Sequence, residues 1–435
     1  MGPKGAHEQM FAAAGGICSA MQESGGVPLL SMQDSPKDAA TPVVSAFYDR
    51  FPYPGDPLQD GPPPGYNWRW CIDSVVAAVR GVLPPRPSPG ASRSWRVLDA
   101  GCGTGVSTDY LCHLNPGASV LAVDISPGAL DVARERLRRS GGAGKVKELR
   151  IEQRSLLDLA GEGPFDAINS VGVLHHLARP EAGLRALAER LAPGGLLHLF
   201  LYADAGRWEI HHTQRALGLL GVGTGTEGLR LGRQLLADLP PENRLRRHHE
   251  ERWALDTAAD ANFADMYLHP QETSYTLEGL LGFLGQADLH FAGFSNPEVW
   301  DPARLLSGEL LDRARTLSPR QQWSLVEALD PSISHFEFFV SREPITPSDW
   351  RQDSALLATS GEVNRCLWGW PGTQLLDADL RPLDIDPGDL ALMESWLAAP
   401  AGTSLAELSL PMEEGERLER ARRLIQQRVL LPVAR

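Results

Sequence analysis

Nine residues constrain this 435-residue chain more than any others: Val97-Leu98-Asp99-Ala100-Gly101-Cys102-Gly103-Thr104-Gly105. A short apolar run ends in an acid, and three glycines follow, alternating with small residues. A buried strand that turns through glycine into a helix opens a βαβ unit, and βαβ units build parallel sheets. The chain then repeats the alternation. Strands are predicted at 96–100, 119–123, 149–153, 165–171, 195–202, 288–294 and 335–341, with helices near 106–114, 126–139 and 181–191. Residues 203–287 interrupt the run with helical pattern and are expected to cap the C-terminal edge of the sheet. The composition changes after Arg342. Pro344, Pro347 and a polar run to Ser360 mark a junction. Beyond it, a WGW-containing strand pair (about 366–385) and helices near 387–398, 403–408 and 412–428 read as a module with its own core. The expected fold class is α/β: a doubly wound, seven-stranded, mostly parallel sheet at 96–345, a helical cap insertion at 203–287, and a small C-terminal α+β domain at 346–435.

The glycine loop selects its ligand by what it lacks. A dinucleotide fingerprint GxGxxG needs its third glycine at position 106, where Val106 stands. A P-loop needs a lysine after the glycines, and none follows. What remains lets backbone approach a ligand closely and offers a helix N-terminus to a carboxylate. A second acid, Asp124, ends the next strand, where it can accept both hydroxyls of a ribose. A ligand with an unphosphorylated ribose and an amino-acid end fits, and S-adenosylmethionine is such a ligand.

Four blocks in order, VLDAGCGTG (97–105), VLAVDISPGALDVARERL (120–137), FDAINSVGVLHHL (165–177) and LAPGGLLHLFLY (191–202), resemble the class I S-adenosylmethionine-dependent methyltransferases. The resemblance covers 96–202 and extends weakly to 342. It implies that Asp99, the backbone of Gly101, Cys102 and Gly103, and the turn at Gly105 hold the methionine end. Asp124 takes the ribose and Ile125 packs on the adenine. Ser155 and Leu156 neighbour the base, although the family usually has an acid at Ser155. Asn169 and Ser170 begin the stretch that passes beside the methyl. A sulfonium methyl is already activated, so the protein mainly aligns the nucleophile and excludes water. Where the acceptor must lose a proton, candidate bases are His175 and His176 after the fourth strand, and the Tyr267, His269, Glu272 group in DMYLHPQET. No metal is expected, because the histidine pairs are adjacent residues, pointing about 100° apart on a helix. Cys102 reads as a small filler, with no base beside it in sequence.

The segment 41–95 precedes the first strand and reads as a lid. Its part FYDRFPYPGDPLQDGPPPGYNWRW (47–70) is dense in proline and aromatics together. Tyr48, Tyr53, Tyr66 and Trp68 are lid candidates, and Arg69 is a candidate clamp for the methionine carboxylate. This segment, with ADMYLHPQE and ISHFEFF, resembles methyltransferases familiar from cyanobacterial genomes. One activity in that group is methylation of an asparagine side chain on phycobiliproteins. NSVG (169–172) stands where amide-modifying methyltransferases often carry an NPPY-type tetrapeptide. The expected function is methyl transfer to a small-molecule or protein side-chain acceptor. The alternatives are an asparagine methyltransferase acting on phycobiliproteins, and a degenerate fold serving as a binding scaffold.

A net charge of −14 argues against a nucleic-acid substrate, which needs a basic surface. Five cysteines without CxxC spacing point to free thiols in a reducing compartment, hence the cytoplasm. The apolar stretch Met10 to Met21 is too short for a membrane span, and residues 1–40 read as a flexible N-terminal tail. Oligomeric state is left open.

Overall fold

The computed structural model describes residues 41–434 except 87, 89–90, 351, 365, 373 and 378–380. The expected tail at 1–40 lies outside the described residues. The strands are β1 Arg96–Ala100, β2 Ser119–Asp124, β3 Glu148–Gln153, β4 Phe165–Val171, β5 Leu191–Ala203, β6 Ser274–Tyr275, β7 His290–Phe294 and β8 His335–Ser341. They form one sheet in the order β3-β2-β1-β4-β5-β8-β7, with β6 added alongside β5. Strands β1 to β5 run parallel, and β8 is antiparallel to both β5 and β7. The sheet thus has eight strands where seven were expected. The eighth, β6, is two residues long, too short to carry an alternation signal.

Central strands are covered on both faces, which is why they read as unbroken apolar runs. Val97, Leu98, Asp99 and Ala100 are all buried. The helices that follow have local start signals. In α4 (Pro127–Ser140), Ser126 caps the amide of Ala129, proline opens the first turn, and Gly141 closes it in the left-handed conformation. Before the sheet come α1 (Thr41–Arg50) and α2 (Ile72–Arg80); α3 (Val106–Leu114) follows β1, and α5 (Pro180–Arg190) follows β4.

After β5 the chain builds a helical segment, here called the cap: α6 (Trp208–Leu219), α7 (Thr226–Asp238), α8 (Arg244–His248) and α9 (Asp260–Leu268). Ile210, Leu217, Leu229, Leu236 and Phe263 form its apolar cluster, and Phe47 and Phe51 of the lid segment complete it. Helix α1 therefore belongs to the cap's core.

The C-terminal stretch departs from expectation. Its elements form where predicted: β9 (Ser360–Val363) pairs with β10 (Leu430–Val433), beside helices Pro387–Ala398 and Glu414–Gln426. The WGW region makes only isolated bridges, Trp368 to Leu376 and Leu376 to Pro382. The core is not its own. Leu356, Leu392, Leu424 and Leu430 share one continuous cluster with Tyr66, Trp68, Val75 and Val79. Leu83 bridges to Val433, and Asn364 donates to the Tyr66 hydroxyl at 2.8 Å. The apolar face of α2 needs this cover, so residues 346–434 complete the main body rather than hang from it. Tyr66 and Trp68 are correspondingly core residues, not lid residues.

Candidate active site

A cavity of about 600 Å³ opens at the C-terminal ends of β1, β2, β4 and β5, where ligands sit in open parallel sheets. Gly101, Cys102, Gly103, Asp124, Ile125, Ser155 and Leu156 line one end. The Asp124 carboxylate is tied to its own loops: Oδ2 accepts from the Gly103 amide at 2.8 Å and Oδ1 from Ser126 at 2.9 Å. Each oxygen keeps a lone pair, so a diol can still be held. A fixed carboxylate, a backbone cradle and the apolar walls Val123, Ile125 and Val173 suit a nucleoside with a ribose.

The lid is stapled to this loop. Thr104 donates through its amide to the Tyr53 carbonyl at 3.0 Å and through its hydroxyl to the Pro54 carbonyl at 2.8 Å. Arg136 of α4 then joins the Thr104, Asp56 and Pro57 carbonyls. Gly103 sits at φ +52, and a Cβ there would come 2.3 Å from the Tyr53 carbonyl oxygen. Glycine is needed at this position because the lid, not the ligand, takes the space.

Other residues expected at the cofactor stand behind it. Asp99 is 1% exposed, and its carboxylate accepts from Ser107 (2.7 Å), Thr108 (2.6 Å) and Asn169 (2.8 Å). It braces the first turn of α3 and does not line the cavity. Burial raises its pKa, against the pull of these hydrogen bonds. Asn169 and Ser170 are buried with it, while Val171, Gly172 and Val173 reach the cavity wall. Gly105 is also absent from the wall; a Cβ there would meet Ala133 at 2.8 Å, so it serves α3–α4 packing. Arg69 is ion-paired to Glu337 at 2.7 Å and bonded to Asn296, away from the cavity lining, so it does not clamp the methionine end. Cys102 does line the cavity, and burial pushes its thiol pKa well up, which leaves it a neutral filler.

The far end of the cavity is a chamber of Tyr48, Tyr53, His176, Phe200, Tyr202, Arg207, Trp253, Asp265 and His335. Only His176 of the five expected catalytic residues lines it. His175 is fully buried, its ring stacked on Tyr202 at 3.8 Å between centroids. Tyr267 packs in the cap core and meets His249 at 3.0 Å. Glu272 is locked by Arg207 at 2.9 Å and His211 at 3.1 Å. Burial alone would raise its pKa; the bond from His211 and the charge of Arg207 outweigh that and leave it at about 2. A carboxylate held that low is a poor base. His269 lies one layer back, its ring 3.8 Å from that of His176, and burial pushes its pKa down to about 2.

Asp265 was not singled out in the sequence. It is 4% exposed, takes the Tyr48 hydroxyl at 2.8 Å and lies 3.5 Å from the Tyr202 hydroxyl. An acid in a short, mostly apolar helix, without a motif, carries no signal of this. Among the described residues, His176, Asp265 and His269 bring one ligand-type atom each within 4.8 Å of one another. One residue, Gln271, sets their tautomers. The Gln271 carbonyl faces His176 Nδ1 at 2.9 Å, so that nitrogen carries the proton. The Gln271 amide donates to His269 Nδ1 at 3.1 Å, so there the proton sits on Nε2. Both Nε2 atoms are buried without a partner. The pair therefore presents one lone pair and one N–H. That suits a group that both donates and accepts better than a cation, which needs lone pairs from both rings.

The comparisons agree with this architecture. A methyltransferase-domain family matches residues 98–197. An uncharacterized protein of Synechococcus sp. is 46% identical over 402 residues, covering 91% of this chain and 94% of the relative. An uncharacterized phycocyanin operon protein W of Pseudanabaena tenuis is 48% identical over 105 residues, 24% of this chain and 92% of that protein. Among solved structures, PKMT2 from Rickettsia typhi in complex with AdoHcy superposes with a TM-score of 0.54 at 17% identity, over 69% of this chain and 58% of that one. No helix among the described residues is long and apolar enough to cross a membrane. With the eight-stranded sheet, the glycine loop and the acid at the end of β2, the chain belongs to the class I S-adenosylmethionine-dependent methyltransferases.

Proposed function

We propose that the protein methylates a side-chain carboxamide, that of an asparagine on a phycobiliprotein. The observation that carries this is the chamber's mixed polarity. In the chamber His176 Nε2 and the Asp265 carboxylate accept hydrogen bonds, while Arg207 Nε is a buried donor without a partner. A carboxamide offers the complement: two N–H donors and one carbonyl acceptor. The phycocyanin operon relative supports the choice of target. We place the cofactor with its ribose on Asp124, its adenine along Ile125, Ser155 and Leu156, and its methionine end along Gly101 to Gly103. When bound, S-adenosylmethionine supplies a methyl carbon already activated for displacement.

The chain's own residues then have three tasks. Arg207 fixes the acceptor's carbonyl oxygen. Asp265, held by Tyr48, orients the amide hydrogens. His176 Nε2 takes the proton that the nitrogen gives up as its new bond to carbon forms. The aromatic walls and the stapled lid keep water from competing. The intact Asp124 and glycine loop weigh against a scaffold without activity. A small-molecule acceptor is the second reading, favoured by the aromatic enclosure of Tyr48, Tyr53, Phe200 and Tyr202. The free thiols Cys71, Cys102, Cys112 and Cys366 support a reducing, cytoplasmic location.

The test is transfer of a labelled methyl from S-adenosylmethionine to unmodified recombinant phycobiliprotein subunits, mapped by mass spectrometry. Label on an asparagine nitrogen is expected, with His176→Gln and Asp265→Asn losing transfer while retaining cofactor affinity. Label on another residue type, or none, overturns the proposal.

A further inference from the structure

Behind the cofactor loop a line of polar side chains crosses the sheet. Asp99 on β1, Asn169 on β4 and His198 on β5 are register partners on three adjacent strands. Glu337, on the neighbouring β8, completes the line. All but Glu337 are at most 5% exposed. None was singled out by its place in this line, and His198 has no assigned role.

The line fixes every proton. The Trp70 indole can only donate, and it donates to Asn169 Oδ1 at 3.0 Å. Asn169 Nδ2 donates to Asp99 Oδ1 at 2.8 Å. Turning the amide over would set donor against donor at Trp70 and oxygen against oxygen at Asp99. Asn169 Oδ1 therefore faces His198 Nδ1, 2.9 Å away, and that nitrogen must carry a proton. On the other side, His198 Nε2 lies 3.2 Å from Glu337 Oε1. Glu337 also takes the Ser295 hydroxyl at 2.5 Å and pairs with Arg69 at 2.7 Å, so it is an acceptor and Nε2 must carry a proton as well.

We infer that His198 is a doubly donating imidazolium that positions the cofactor loop from behind the sheet. It holds Asn169, and Asn169 holds two things at once: the Trp70 ring in the cavity wall, and Asp99, which braces Ser107 and Thr108 at the start of α3. The charged groups facing His198 are Glu337 and, through Asn169, Asp99; Arg69 lies beyond Glu337. His198 is a positioning residue, because it touches neither the cavity nor the reacting atoms. Loss of either ring proton sets a lone pair against an acceptor oxygen and releases one side of the line. The inference rests on the glycine loop being the cofactor site.

The test begins with the unaltered protein. Nitrogen-15 NMR of histidine-labelled protein, with the His198 signals assigned by their loss in His198→Gln, is expected to show both ring nitrogens protonated near neutral pH. A neutral His198 tautomer overturns the inference whatever the cofactor does. Glu337→Gln removes one acceptor charge without a change of size. It is expected to convert His198 to a neutral ring and to weaken S-adenosylhomocysteine binding about tenfold, with kcat at saturating cofactor changed less than about twofold. An unchanged affinity beside a converted His198 also overturns it. Failure of the wild-type protein to bind the cofactor would instead remove the site assignment, leaving the NMR result to stand by itself.

Discussion

Gly103→Ala tests whether the lid and the cofactor loop are one device. The residue sits at φ +52, where a side chain costs about 1–2 kcal/mol. The added Cβ would lie 2.3 Å from the Tyr53 carbonyl oxygen, far inside contact distance. Backbone cannot be swung aside like a side chain, so Tyr53 and Pro54 must lift. That breaks the bonds from the Thr104 amide (3.0 Å) and hydroxyl (2.8 Å), about 1 kcal/mol each. The closed arrangement should lose about 3–4 kcal/mol in all. Gly141→Ala is the control: it has φ +74, nothing lies within 4 Å, and it caps α4 away from the cavity. It should cost only the conformational part, about 1 kcal/mol. Calorimetry with S-adenosylhomocysteine, beside thermal unfolding, reads both. Gly103→Ala should bind at least about 100-fold more weakly while Gly141→Ala binds normally. If Gly103→Ala binds within about twofold of wild type, the lid does not depend on this glycine and the reasoning fails.

Three further outcomes follow from the same structure. Asp124→Ala removes the proposed ribose acceptor and unties Gly103 and Ser126, so cofactor binding should weaken by about 2–4 kcal/mol in calorimetry. Acid should destabilise the fold in two steps. Below about pH 6.5 the buried, neutral His269 (held near 2) and His175 (held well down) gain protons more readily in the unfolded chain, and stability falls. Below about pH 4.5 Glu272, also held near 2, adds its loss. In thermal unfolding across pH, His269→Asn should shrink the first step only. Truncation after Pro344 should strip the cover from α2 and abolish cooperative unfolding by circular dichroism, because Leu392, Leu424 and Leu430 share the Val75 cluster; a stable, cooperative truncated chain would restore the separate domain expected from sequence.

Strands β1 and β2 were legible because each pairs a buried apolar run with a local stop: Asp99 before glycines, Asp124 before the Ser126 cap. The two-residue β6 was not, since pairing with β5 rather than its own pattern makes it a strand. The C-terminal stretch showed its elements but hid its attachment. Leu392 and Leu424 read equally well as an independent core or as cover for α2, and only tertiary packing decides. At the site, the residues that line the cavity near the glycines were found by motif. Asp99, Asn169 and Arg69 were placed one layer too far forward, because a motif marks a position and not which way its side chain is spent. Asp265 carried no signal, since its role comes from Tyr48 and His176, which are 217 and 89 positions away in the chain. The compact group Tyr267, His269 and Glu272 split in three directions, because the helix α9 ends at Leu268 and the chain turns there.

A crystal structure with S-adenosylhomocysteine bears most directly on the site as a whole. The ribose hydroxyls should lie on Asp124, the adenine along Ile125 and Leu156, and the sulfur should face the chamber of Tyr48, His176 and Asp265 with the lid still stapled at Thr104. A ligand whose sulfur points away from that chamber, or whose ribose leaves Asp124 untouched, would contradict the assignment of both cofactor and acceptor ends.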